Sequence, residues 1–270
     1  MGIVRATEVP RTYSVNIIFT ATMKYITMCG GLTQVLGRAM LDHALGLEAG
    51  PGDEILLTTG AGKVRVRLPA PPEEGVWTDM SALVAQCYSM GLEECFSLEE
   101  EFAGIRVFKV GKFLVADVTA GSVNLLDDQT YQVLGNLQTR FNQRYFPEEP
   151  SWNFALFDRR AAAGSWGRCV FPHIATERVC EPSCGTGSVA IAMAGAHWYR
   201  LGGSEVTRNA NVVLECGSLH KLGGTQHATV RLGFTGGAVS DCWFSHSTVE
   251  VQIVGTAILH RNGEAQTWAN

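Results

Sequence analysis

The sequence predicts an α+β protein made of two similar β-rich halves, each built around one buried helix. Three observations support this: strand-like segments dominate, helical periodicity is rare, and the two most apolar helical segments share one local sequence context. With 270 residues, of which 46% are hydrophobic and 17% charged, the chain can form one large domain or two similar ones, and its composition is unlike that of a disordered protein.

Nine segments are rich in Val, Ile, Leu or Phe, and most are bounded by Gly, Asp, Asn or Pro, a pattern typical of β-strands. In chain order they are residues 14–20, 54–59, 63–68, 105–109, 113–118, 153–157, 211–216, 227–234 and 248–259. Their number predicts a sheet-rich fold.

Three segments have helical patterns, namely residues 31–46, 78–92 and 187–201. Thr78 or Asp79 is a suitable N-cap for the second. The third is apolar almost all round, so we expect it to be surrounded by protein.

The first and third helices repeat a common context. Each begins directly after a Cys-Gly pair, at Cys29 and at Cys184, and each is followed by a strand pair whose second strand contains Val-Arg-Leu, at 66–68 and 230–232. This predicts a duplicated unit of loop, buried helix and strands, arranged as a pseudo-twofold pair.

The two Cys-Gly pairs indicate acid–base chemistry. A cysteine at a helix start lies where unpaired N–H groups and the helix dipole favour a thiolate, and the neighbouring glycines let backbone amides approach an anionic ligand. A pseudo-twofold would place two thiols face to face. Two bases on opposite sides of one carbon suit inversion, since one thiolate removes the Cα proton while the opposite thiol delivers another.

These motifs resemble those of a known superfamily. Residues 183–188 (Ser-Cys-Gly-Thr-Gly-Ser) and 27–31 (Thr-Met-Cys-Gly-Gly) are similar to the paired cysteine motifs of the cofactor-independent amino-acid racemases and epimerases related to diaminopimelate epimerase and proline racemase. The resemblance extends from about Ile17 to the C-terminus. It implies a diaminopimelate-epimerase-like fold, with the active site in the cleft between two domains and no cofactor or metal.

The resemblance also implies a domain division and site roles. The N-terminal domain would span residues 1–104, completed by 256–270, and the C-terminal domain 105–255. Cys29 and Cys184 would be the two bases. The predicted substrate-binding residues are Gly30, Gly31, Gly185, Thr186 and Gly187, whose amides would hold the carboxylate, together with Asn153, Glu181 and Thr20.

The sequence departs from the family in its first half. Only 28 residues precede Cys29, several dozen fewer than in family members, which favours a homodimer that completes the site, a truncated start or a loss of activity. Gly31 replaces the usual Asn or His, and Thr20 stands where diaminopimelate epimerases have Asn. The substrate side chain is therefore left open.

Composition narrows the function classes further. The net charge of -5 argues against a nucleic-acid face, and no apolar run reaches the roughly 18 residues that a membrane helix needs. The first residues lack the apolar stretch of a signal peptide, so we expect a cytoplasmic protein with reduced thiols. The cysteines outside the two motifs are assigned structural roles: Cys87, Cys95, Cys169, Cys180, Cys216 and Cys242. For Cys180, four residues before Cys184, the alternative is a redox partner of that cysteine.

The sequence thus predicts an isomerase acting on a free amino acid or a related carboxylate. A dehydratase or allylic isomerase of the same superfamily is the alternative enzyme, although relatives that dehydrate hydroxyproline usually replace the second cysteine. A non-catalytic amino-acid-binding protein is the alternative from another class.

Overall fold

The structure is a computed structural model that describes most of the chain. The described residues are 2–19, 24–42, 47, 49–87, 93–97, 105–111, 113–121, 123–125, 138–139, 143, 147–148, 153–160, 164–173, 179–181, 183–198, 208–216, 226–235, 238–247, 257–261 and 264–268. Within them, the helices are α1 (Gly30–Leu41), α2 (Ser81–Cys87) and α3 (Gly185–Trp198).

The described strands number seventeen, and fifteen of them belong to one sheet. They are β1 (Gly2–Ala6), β2 (Thr12–Phe19), β3 (Lys24–Ile26), β4 (Glu54–Thr59), β5 (Gly62–Arg67), β6 (Trp77–Asp79), β7 (Glu93–Ser97), β8 (Arg106–Val110), β9 (Phe113–Asp117), β10 (Asn153–Asp158), β11 (Gly167–His173), β12 (Val179–Glu181), β13 (Arg208–Cys216), β14 (His227–Thr235), β15 (Ala238–His246), β16 (Ala257–Arg261) and β17 (Glu264–Trp268). The last two form a separate hairpin.

The topology contains one unit twice. In the first copy, β1 and β3 pair antiparallel with β2, α1 follows, and β4 returns parallel to β2 before the antiparallel strands β5 and β6. In the second copy, β10 and β12 pair antiparallel with β11, α3 follows, and β13 returns parallel to β11 before β14 and β15. Each helix is the crossover that a parallel strand pair requires.

The two copies join through their last strands. β6 pairs antiparallel with β15, with Thr78 opposite Phe244 and Asp79 opposite Trp243. Because the joining strands occupy equivalent positions in the two copies, the halves are related by a pseudo-twofold at this junction. Beyond β10 of the second copy, the sheet is extended by β9, β8 and β7, in that order.

Both crossover helices lie in one continuous hydrophobic core. On α3 every residue from 187 to 194 is buried, as the apolar circumference predicts. Gly187 allows the helix to lie directly on the sheet, because a Cβ there would come within 3.1 Å of Phe113 and even closer to Phe171.

The structure confirms the predicted α+β class, the dominance of strands and the duplicated helix context. The predicted start of the second helix is wrong: Thr78 and Asp79 lie in β6, and α2 begins at Ser81. Asp79 still hydrogen-bonds the start of α2, since its Oδ1 accepts the Ser81 N–H at 2.9 Å. The helix ends predicted at 43–46, 88–92 and 199–201, and the strand at 248–256, lie outside the described residues.

In the part of the chain that the structure describes, no helix is long and apolar enough to cross a membrane.

Candidate active site

Cys29 is the N-cap residue of α1. Its backbone is extended, with φ −142° and ψ 109°, its carbonyl accepts the Thr33 N–H at 3.1 Å, and its Sγ accepts the Leu32 N–H at 3.5 Å. The thiol therefore takes the place that Ser, Thr or Asp usually occupies at a helix start. The residue is half-buried.

Cys184 occupies the equivalent position before α3. Its carbonyl accepts the Ser188 N–H at 2.7 Å, which makes it the N-cap residue, and its Sγ lies 3.3 Å from Thr186 Oγ1. This cysteine is also half-buried. Both thiols thus lie at helix N-termini, where the orphan N–H groups and the helix dipole stabilise negative charge.

The starts of the two helices touch each other through glycine. A Cβ on Gly30 would lie 3.1 Å from Gly185 Cα, and a Cβ on Gly185 would lie 2.9 Å from Gly30 Cα. The ring of Phe244, on the central strand β15, packs against both glycines. It would lie 3.5 Å from a Cβ on Gly30 and 3.2 Å from a Cβ on Gly185. Any side chain at either glycine would push the helix starts apart.

Two polar side chains of α1 fix its start to the centre of the sheet. Thr33 Oγ1 donates to Gly30 O at 2.8 Å and lies 2.9 Å from Thr78 Oγ1 on β6. Gln34 Nε2 donates to Phe244 O at 2.9 Å and Val76 O at 3.2 Å. Both side chains are 1% exposed, so their hydrogen bonds are shielded from water and hold the helix start rigidly.

The first turns of the two helices carry no negative charge. Neither α1 nor α3 has an acidic residue in its first turn, so no neighbouring carboxylate within these turns competes for the N–H groups. Among the residues that the structure describes, no three His, Cys, Asp or Glu side chains are arranged to hold a metal ion.

The structure distinguishes between the predicted glycines. Gly30, Gly185 and Gly187 are buried against other parts of the protein, which explains glycine at these positions by close packing. Gly31 is exposed and a Cβ there would meet nothing within 4 Å, so Gly31 faces open space. Thr186 is half-buried beside the Cys184 thiol. That their backbone amides bind a substrate carboxylate stays a prediction.

The remaining predicted substrate-binding residues are located with less detail. Asn153 is the first residue of β10, a strand that packs against α3, and it is half-buried. The backbone of Glu181 pairs with Phe171, which contacts the first turn of α3 at Gly187. Thr20 lies outside the described residues, so its predicted role is untested.

The sequence did not identify the residues that hold the two helix starts against the sheet. Phe244 and Gln34 lie in no recognisable motif, and the sequence marked Thr78 only as a possible helix cap. Phe244 and Thr78 reach the start of α1 because β6 and β15 pair across the junction of the halves. A buried glutamine within an apolar helix face was the one available signal, since such a side chain needs hydrogen-bond partners.

Comparison with protein-family models and with curated proteins gives no match to this sequence. Solved structures do match. A probable proline racemase from Agrobacterium radiobacter K84 with bound carbonate has a TM-score of 0.56 at 16% identity, over 91% of this chain and 72% of that one. A hydroxyproline epimerase from Agrobacterium vitis with bound trans-4-hydroxy-L-proline has a TM-score of 0.57 at 15% identity, over 91% and 70%.

A third neighbour is a phenazine biosynthesis protein of the PhzF family from Bacillus anthracis, with a TM-score of 0.59 at 12% identity over 90% of this chain and 80% of that one. The chain therefore has the fold shared by proline racemases, hydroxyproline epimerases and PhzF-like proteins. The predicted fold resemblance is confirmed at this level, and at these identities the likeness concerns the fold.

Proposed function

We propose that this protein is a cofactor-independent isomerase that inverts the Cα configuration of a free amino acid. The observation that carries the proposal is the contact between Gly30 and Gly185, which brings together two helix starts capped by Cys29 and Cys184. A small carboxylate held there would be near two sets of unpaired N–H groups, each at the positive end of a helix dipole.

In the proposed reaction one cysteine enters as thiolate and the other as thiol. The thiolate removes the Cα proton, and the electron pair of the broken C–H bond moves toward the substrate carboxylate. Backbone N–H donors at the helix starts offset the charge that the carboxylate gains. The opposite thiol then delivers its proton to the other face of Cα, so the two cysteines have exchanged protonation states at the end of the turnover.

The geometry supports cysteines in these roles in two ways. The Leu32 N–H points at the Cys29 sulfur at 3.5 Å, so a backbone donor already lies at the atom that would take up the Cα proton. Both cysteines are half-buried, and partial removal of water strengthens their interaction with charge in the site.

The experiment is proton NMR in D₂O with the reduced, folded protein and L-forms of histidine, proline, 4-hydroxyproline, lysine and glutamate. The proposal predicts loss of the Cα proton signal of one compound, with its D-form accumulating. Release of water or migration of a double bond would identify the dehydratase or allylic isomerase instead. Binding of an amino acid by calorimetry without any Cα exchange would favour the non-catalytic binding protein, for which Gly31 in place of Asn or His is the motivating departure.

A further inference from the structure

Two further cysteines lie side by side on neighbouring strands close to Cys184. Cys169 on β11 and Cys216 on β13 are register partners in a parallel pair, so their side chains project from the same face. Neighbouring strands are about 4.8 Å apart, within the Cα separation of roughly 4.4–6.8 Å that a disulfide needs. Each thiol also shifts the pKa of the other.

This thiol pair is connected to the starts of both crossover helices. The side chain of Ser183, the residue before Cys184, lowers the pKa of Cys216. On its other side, Cys216 Sγ lies 3.5 Å from His246 Nε2. The backbone N–H of His246 donates to Gln34 Oε1 of α1 at 3.0 Å.

The environment makes the two sulfurs chemically different. The pKa of the Cys216 thiol is lowered to about 5, first by the hydrogen bond from Cys169 and then by the imidazole of His246 and the Ser183 hydroxyl, against burial, which raises it. The pKa of Cys169 is raised well above its usual range, because it donates that hydrogen bond and is fully buried. The opposite directions of the two shifts favour negative charge on Cys216 and a proton on Cys169, the asymmetry of a reactive dithiol.

We propose that Cys169 and Cys216 form a peroxide-reactive dithiol, in which Cys216 is oxidised first and Cys169 closes a disulfide. This proposal does not depend on the proposed isomerase activity. In the first step the Cys216 thiolate attacks hydrogen peroxide, the O–O bond breaks, and Cys216 becomes a sulfenic acid with release of hydroxide. His246 lies where an imidazolium could give this hydroxide its proton.

In the second step the Cys169 sulfur attacks the sulfenic sulfur. The S–O bond breaks and an S–S bond forms, and the leaving hydroxyl takes the Cys169 proton and departs as water. Overall, two thiol sulfurs are oxidised by two electrons and one peroxide is reduced to two waters. Cys216 is 6% exposed and Cys169 is fully buried, so the proposal names a small peroxide as the oxidant, because a protein thiol is too large to reach them.

Tryptic peptides allow a direct test on the full chain. Cleavage after Lys and Arg gives peptides 169–178, 209–221 and 25–38, which carry Cys169, Cys216 and Cys29 as their single cysteines. The reduced protein is treated at pH 6 with limiting hydrogen peroxide, quenched, denatured, alkylated and digested. At this pH a thiol with an ordinary pKa of about 8.5 is under about 1% thiolate, so only an activated thiol reacts quickly.

We expect peptide 169–178 to be disulfide-linked to 209–221, while 25–38 is recovered alkylated. Recovery of both peptides alkylated under conditions that consume Cys29 or Cys184, or a Cys29–Cys184 disulfide in their place, would overturn the proposal. These outcomes bear only on the dithiol and leave the isomerase test unaffected.

Two variants sharpen the assignment. In Cys169→Ala the sulfenic acid of Cys216 cannot be resolved, so a dimedone adduct should accumulate on peptide 209–221. In His246→Gln oxidation at pH 6 should slow by roughly tenfold, because the pKa of Cys216 rises when the facing imidazole is lost. Cys169 also titrates beside this sulfur, and Cys184 and Glu215 act on Cys169; all three are unchanged in this variant. The matched control is Cys242→Ala, whose buried thiol lies outside the pair, and disulfide formation should be unchanged.

Discussion

Gly30 and Gly185 meet backbone to backbone, so close that a Cβ on the second would lie 2.9 Å from the Cα of the first. This contact joins the equivalent helix starts of two topologically equivalent units. It also sets the separation of the two capping cysteines, each one residue before a contacting glycine. The arrangement of the candidate site therefore depends on the absence of two side chains as much as on the presence of two thiols.

The first prediction concerns this contact. Gly185→Ala should lower the free energy of unfolding by about 1–3 kcal/mol, because the added methyl overpacks against Gly30 and Phe244. It should also reduce isomerase activity by separating the helix starts. Chemical denaturation and the racemisation assay measure the two effects. Gly31→Ala is the matched control, since its Cβ meets nothing within 4 Å, and unchanged stability in Gly185→Ala would refute the close approach.

The second prediction separates capping from catalysis. Cys29→Ser retains a side-chain acceptor for the Leu32 N–H, and serine is a favourable N-cap residue, so the unfolding free energy should change by less than about 1 kcal/mol. Racemisation should nevertheless be lost, because a serine hydroxyl is far too weak an acid or base for the proton transfer. Cys184→Ser should behave alike, and full activity in either variant would contradict the two-base assignment. Circular dichroism and the racemisation assay provide the measurements.

The third prediction concerns Gln34, which joins α1 to the centre of the sheet. Gln34→Leu removes hydrogen bonds to the carbonyls of Val76 and Phe244 and to the N–H of His246, and it should destabilise the protein by about 2–5 kcal/mol. The neighbouring Val35 is 42% exposed, so Val35→Ala is a control that should change stability by less than about 0.5 kcal/mol. Equal denaturation midpoints for the two variants would show that these bonds contribute nothing.

The fourth prediction is a pH dependence from Asp158, whose carboxylate is paired with Arg160 through contacts of 2.8 and 2.9 Å. Burial raises the pKa of Asp158, but the hydrogen bonds and charge of Arg160 outweigh it, so the pKa is lowered overall. The folded state then binds this proton more weakly than the unfolded state. The pair's stabilisation is present above the unfolded pKa of about 4 and disappears as the pH falls through the folded pKa.

Asp158→Asn should therefore be less stable than the unmodified protein at neutral pH, with a difference that shrinks in acid. Denaturation at several pH values measures this. Asp42→Asn is the control, because Asp42 pairs with Arg38 on the surface of α1 and contributes little. A difference between Asp158→Asn and the parent that stays constant with pH would rule out the lowered pKa.

Much of the fold could be predicted from sequence, because the decisive signals were local. The Cys-Gly pair followed by an apolar helix and a Val-Arg-Leu strand occurs twice, and the structure places both copies in the same topological position. The apolar residues all round α3 likewise predicted that this helix is buried. The start of α2 was misplaced because Thr78 and Asp79 are good capping residues, whereas pairing with Phe244 and Trp243 holds them in a strand.

The parts of the site that sequence could not predict all depend on long-range pairing. Cys169 and Cys216 become neighbours only when β11 and β13 pair in parallel, and His246 joins them only through the return of β15. Gly30, Gly185 and Gly187 were assigned to ligand approach, whereas the structure gives each a packing reason as well. A sequence motif identifies such glycines without indicating which neighbour requires them.

The most direct test of the central claim is the fate of deuterium during the first few per cent of turnover in D₂O. With the substrate found in the NMR panel, two opposed thiols predict that the product enantiomer carries deuterium at Cα while the remaining substrate keeps its proton. A single base that exchanges and returns the proton on one face would instead place deuterium in the recovered substrate. That second pattern, in protein retaining both Cys29 and Cys184 as free thiols, would contradict the proposed two-cysteine mechanism.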